Sequence, residues 1–155
     1  MVEIYVDADA CPVKAEIYRV AGRNALKVRL VSNSPLRLPT ECLAELVVVG
    51  SAFDAADDWI ADHATATDIV VTADIPLAHR CIGKGAVVIG PTGRPFTEDS
   101  IGSALATRAL MQDLRDMGMV AGGGAPMSQR DRSCFLQALD QAVQALKAGR
   151  RPKWR

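Results

Sequence analysis

VEIYVDADACPVKAEIYRVAGR (residues 2–23) decides how the rest of the chain is read. Its opening VEIYV is mostly β-branched or aromatic, the composition of a buried strand. Pro12 suits the first turn of a helix, where its missing N–H costs nothing. Ile17, Val20 and Ala21 then recur on one side of a helix reaching about Arg23. A strand that runs through Asp7 and Asp9 into a helix is the first half of a βαβ unit, so a parallel sheet is expected.

The pattern repeats downstream. Residues 26–32 (LKVRLVS), 45–49 (ELVVV), 68–72 (DIVVT) and 86–89 (AVVI) read as four more strands. Helices are expected at Asp54 to about Ala64, at Ile75 to Lys84 closed by Gly85, and from about Glu98 to Met117. Ser128 with Asp131 three residues on forms a variant capping box for a last helix. Phe135, Leu139, Val143 and Leu146 make its apolar stripe, and Gly149 ends it. The expected fold is α/β, a mostly parallel five-stranded sheet with helices on both faces. The stretch 118–127, with its GGG and Pro126, reads as a loop within a single domain over 1–149. The basic tail at 150–155 either tracks RNA or is disordered.

The 155 residues match one ordinary domain, and 49% hydrophobic content suffices for a core. Eighteen basic residues balance eighteen acidic ones, so any contact with nucleic acid must be local. No apolar run reaches the ~18 residues of a membrane span, and the charged start is unlike a signal peptide, so a cytoplasmic protein is expected. Cys11, Cys42, Cys81 and Cys134 are far apart, and His63 and His79 add little toward zinc, so neither disulfides nor a structural zinc site is expected.

Ligands of open parallel sheets bind outside the carboxyl ends of the strands, and here those ends are acidic. Asp7 and Asp9 follow the first strand, Asp54, Asp57 and Asp58 follow the third, and Asp74 follows the fourth. Hard oxygen donors of this kind suit Mg²⁺ or Mn²⁺. Acidic residues at helix starts also serve as caps, and Asp54 reads equally well as cap or ligand. Asp7 and Asp74 favour function, because both follow strands expected to be neighbours in mid-sheet. Cys11 stands at a helix start but has no evident base to activate it. His79 lies about one helical turn beyond Asp74, and a surface or core position suits it better than the site.

The segments VDADACPVKAEIYRVAGR, DAADDWIADHATATDIVVTADIPLAHRCIGKGAVVIGPTGRPFT and SQRDRSCFLQALD resemble the YaiI/YqxD family of bacterial proteins across essentially the whole chain. That family resembles the PIN and NYN nuclease folds, three-layer sandwiches whose acidic residues bind Mg²⁺ or Mn²⁺ and promote RNA cleavage. The resemblance implies that Asp7 is the first-strand aspartate and that Asp57 and Asp58 are the acidic pair opening a helix. Asp74 in VTAD then matches the aspartate after the fourth strand, with Thr72 as its accompanying hydroxyl. NYN proteins carry an asparagine shortly after the first aspartate, where this chain has Asp9, Cys11 and Pro12.

The expectation is thus a metal-dependent ribonuclease in which Asp7, Asp57, Asp58 and Asp74 hold one or two metals, with Asp9 as ligand or outer base. Arg130 and Arg132, in the segment the resemblance covers, are expected to hold phosphates. Lys14 is a further candidate, whereas Arg19, Arg80 and Lys84 read mainly as solvated helix residues. Two alternatives stay open: an RNA-binding or regulatory module without turnover, and a haloacid-dehalogenase-type phosphatase with Asp7 as nucleophile and Asp9 as acid/base. The phosphatase's later lysine and acidic motif are not evident.

Overall fold

The structure, a computed structural model, describes residues 2–52, 54–103 and 127–154. Five parallel strands, β1 (Glu3–Asp7), β2 (Lys27–Ser32), β3 (Leu43–Val48), β4 (Ile69–Val71) and β5 (Val87–Ile89), form one sheet in the order β3-β2-β1-β4-β5. A sixth strand, β6 (Pro95–Phe96), corrects the expected count of five. It folds back antiparallel on β5, with Phe96 opposite Val88 and Pro95 opposite Ile89. Two residues headed by a proline give no alternation to read, and Pro95 is tolerated because β6 is an edge. The turn before it requires Gly93, whose φ is +86°.

The pleat sorts the core into two layers. Ile4, Val6, Val28, Leu30, Val71 and Ile89 face α1 (Lys14–Asn24) and α5 (Gln129–Lys147). Tyr5, Val31, Val70 and Val88 face α2 (Ala55–His63), α3 (Ile75–Gly83) and Ile101 of α4, described over 98–103. Helices therefore cover both faces, as expected of buried parallel strands. The rest of the helix expected to Met117 and the Gly-rich stretch 118–126 lie outside the described residues.

The helix ends follow their local chemistry. Ser128 Oγ accepts from the Asp131 N–H at 3.1 Å while Asp131 accepts from the Ser128 N–H at 3.2 Å, completing the capping box. Gly149 at φ +75° ends α5. The first helix starts at Lys14 rather than Pro12, because residues Ala8–Ala10 take a 3-10 turn first. Among the described residues, no helix is long and apolar enough to cross a membrane.

The tail is docked. Arg151 donates to the carbonyls of Ala66 at 2.8 Å and Gly85 at 2.6 Å, and Trp154 packs against the α1/α5 core. Ala66 and Gly85 precede β4 and β5, so this contact lies at the amino ends of the strands, opposite the acidic residues.

Candidate metal centre

Strand order reverses between β1 and β4: from β1 the chain proceeds outward to β2 and β3, then returns to place β4 on the other flank. Loops leaving the two strands diverge there and open a crevice. Val6 stands opposite Val71, so Asp7 and the TAD segment emerge side by side. A cleft of about 240 Å³ opens at this point, walled by Asp7, Asp9, Asp54, Asp57, Asp74 and Asn33, with Ala56 and Pro76 beside them. A smaller hollow of about 160 Å³ adjoins it across Asp7 and Asp74, lined by Cys11, Val71, Thr72, Ala73 and Pro91.

Thr72 couples the two central aspartates. Buried at 2% exposure, it donates its hydroxyl to Asp7 Oδ2 at 3.2 Å and accepts the Asp74 N–H at 3.0 Å. Asp74 spends Oδ1 on the Leu77 N–H at 2.9 Å, capping α3. Asp54 occupies the N-cap position of α2 but makes no cap hydrogen bond, which leaves its carboxylate to the cleft. Asp57, the third residue of the helix, enters the cleft as well.

Asp58 does not line the cleft and is paired with Arg80 at 2.8 Å. Successive helical residues lie about 100° apart, so one of the pair turns in while its neighbour turns away. Asp9 is tied to the end of β2: Oδ1 accepts the Ser32 hydroxyl at 2.6 Å and Oδ2 the Asn33 N–H at 2.8 Å. Sequence reading missed Asn33 and Ser32. The signal was register, since Asp7 stands opposite Val31 and the residues two further along, Asp9 and Asn33, consequently meet.

The electrostatics match this crowding. Burial, then the charges of Asp74, Asp7 and Asp54, push the Asp57 carboxyl up to about 6, against a smaller pull from Arg80. Burial is also the main force raising Asp7, opposed by the Thr72 hydrogen bond and assisted by Asp74 and Asp9. Cys11 is pushed up by burial, which keeps its thiol neutral and unlike an activated nucleophile.

The basic candidates divide. Arg132 donates to the Pro12 carbonyl at 2.8 Å and approaches Glu16 at 3.5 Å, tying α5 to the turn that carries Cys11. Arg130 is exposed on the first turn of α5, and Lys14 is half-buried on that of α1. Lys84 donates to the Ala61 carbonyl at 2.6 Å, and His79 is exposed outside the cleft lining.

The ionisable side chains that line the cleft are all carboxylates, the oxygen donors that hard divalent cations take. Among the described residues, no three His, Cys, Asp or Glu side chains are gathered tightly enough to enclose an ion.

Comparison with known proteins gives the lineage. A UPF0178 protein of Rhodospirillum centenum is 58% identical over 154 residues, covering 97% of this chain and all of that one. UPF0178 proteins of Azorhizobium caulinodans, 58% identical over 146 residues, and Sphingopyxis alaskensis, 60% over 147, each match 94% of this chain, covering 92% and 96% of their own lengths. No solved structure matches. The family model described as "Uncharacterized BCR, YaiI/YqxD family" matches residues 5–145, from within β1 to the last turns of α5, and the chain belongs to that family.

Proposed function

We propose that this protein is a Mg²⁺- or Mn²⁺-dependent ribonuclease that hydrolyses phosphodiester bonds. The observation that carries the reading is the convergence of Asp7, Asp54, Asp57 and Asp74 on one cleft at the point where strand order reverses. Carboxylates crowded this way repel one another, a cost without purpose unless a cation or a proton is to be held there. A bound divalent ion would supply charge neutralisation at the phosphate and an acidified water.

Asp7 and Asp74 are the residues best placed to hold the ion. They flank the switch point and are kept in register by Thr72, and Asp74 keeps Oδ2 free of its capping bond. Asp57 has the carboxyl raised furthest toward neutrality among these aspartates, which fits it to take a proton from an attacking water. Asp58 serves by holding Arg80 and keeping the start of α2 against α3.

The test is cleavage of a panel of single-stranded and structured RNAs by highly purified protein, with Mg²⁺, Mn²⁺ or EDTA, beside Asp74→Asn. Asparagine still caps helices, so the variant keeps α3 capped while losing a charged ligand. Metal-dependent cleavage is expected in the wild type and at least a hundredfold less in the variant. Thermal melts should show a larger metal-induced rise for the wild type, because an ion that binds only the folded state stabilises it. Equal cleavage by the two proteins would expose a contaminant. RNA binding without cleavage would leave a non-catalytic RNA-binding module.

A further inference from the structure

We propose that Asn33 contacts the nucleic-acid backbone in the cleft and that Asp9 is the residue that positions it. The inference rests on the ribonuclease reading and assigns to it a residue on the β2 side of the site. Of the cleft-lining residues, the five aspartates are hydrogen-bond acceptors when ionised, and Ala56 and Pro76 carry no polar side chain. Asn33 is thus the one side chain among the described cleft residues that can donate. A phosphate entering between carboxylates meets repulsion on every wall except where a cation or a donor stands. The Asn33 amide supplies that donor, and its carbonyl can accept from a ribose 2′-hydroxyl, which is both donor and acceptor.

Asn33 is the first residue past β2 and exposed, a position that would ordinarily leave it loose. Asp9 holds it: one oxygen takes the Asn33 N–H at 2.8 Å and the other the Ser32 hydroxyl at 2.6 Å, while the Ser32 oxygen accepts the Ser34 N–H at 3.1 Å. Ser32 is itself wholly buried, so the clamp is anchored in the sheet. These two bonds tie Asp9 to the end of β2, and through them it acts on Asn33.

The experiment compares wild type, Asn33→Ala, Asp9→Asn and the double variant in two measurements. One is the Kd for a fluorescein-labelled decaribonucleotide with phosphorothioate linkages that slow hydrolysis, and the other is the Mn²⁺-induced rise in melting temperature. Asn33→Ala should weaken RNA binding about tenfold, the loss of one hydrogen bond to a charged group, and leave the Mn²⁺ shift unchanged. Asp9→Asn should weaken binding as well, although it removes a negative charge that would otherwise repel phosphate. In the double variant it should add nothing to Asn33→Ala, since coupled residues are not additive.

Unchanged RNA affinity in Asn33→Ala overturns the proposal. So does an Asp9→Asn variant that loses the Mn²⁺ shift, which would make Asp9 a ligand, or full additivity in the double variant. Absence of RNA binding by the wild type removes the ribonuclease reading and this inference together, a result distinct from binding that ignores Asn33.

Discussion

Thr72 carries more of the site than its size suggests, because one hydroxyl serves two aspartates. Replacing it with valine keeps the volume but removes the donor to Asp7 Oδ2 and the acceptor for the Asp74 N–H. The Thr72 bond pulls the Asp7 carboxyl down against burial, so its loss raises Asp7 further and should move the acid limb of any pH–rate profile to higher pH. Thr72→Val should also cost about 1–2 kcal/mol in urea unfolding, and Thr72→Ser should restore both properties. Asp57 sets a second pH dependence. A carboxyl raised to about 6 binds a proton more tightly in the folded than in the unfolded chain, so its ionisation destabilises the metal-free protein as pH rises from about 4 to 6. A divalent ion reverses that sign, and the metal-induced rise in melting temperature should grow across the same interval. Melts at pH 5, 6 and 7 with and without Mg²⁺ check it; a flat metal effect would remove Asp57 from the site.

The elements were legible to different degrees for physical reasons. β4 and β5 are runs of branched apolar residues buried on both sides, and β1 and β2 bury Ile4–Val6 and Val28, Leu30 and Val31 between charged or polar ends, patterns that need no partner to be recognised. β3 is an edge strand with Leu43 and Val48 largely exposed, and it begins two residues before the ELVVV run that suggested it. The neighbourhood of Asp7 and Asp74 could be anticipated, because both sit at the ends of strands expected mid-sheet. The Asp9–Asn33 contact could not, since it depends on the register of two strands. The turn between β5 and β6 offers a test of what sequence left hidden there. A Cβ on Gly93 would lie 2.5 Å from the Cys134 backbone carbon at a φ of +86°, so Gly93→Ala combines left-handed strain with collision against α5. It should cost at least about 2 kcal/mol in urea unfolding, through these two effects together. A near-neutral result would mean that the turn does not seat on α5.

Across the molecule, the site and the stabilising contacts of the tail occupy opposite ends of the sheet. The aspartates crowd the carboxyl ends of the strands, where like charges oppose folding, while Arg151 closes the loops at the amino ends. Stability must come from the two apolar layers between. Among the described residues Phe135 is the largest fully buried side chain, and Phe135→Ala should cost about 3–5 kcal/mol. In a domain held by roughly 5–15 kcal/mol, such a loss is a large share of the total and should appear as a clear fall in the urea midpoint at unchanged slope.

The position of α5 in the chain also gives the fold a history. Phe135, Leu139 and Val143 cover the face presented by Ile4, Val6, Val71 and Ile89, yet α5 follows every strand in chain order. During synthesis the hydrogen-bonded sheet and all its cleft aspartates have emerged before half of the cover for that face exists. The unfinished protein is therefore a sticky surface with an acidic mouth, and the interval before α5 arrives is when aggregation competes with completion.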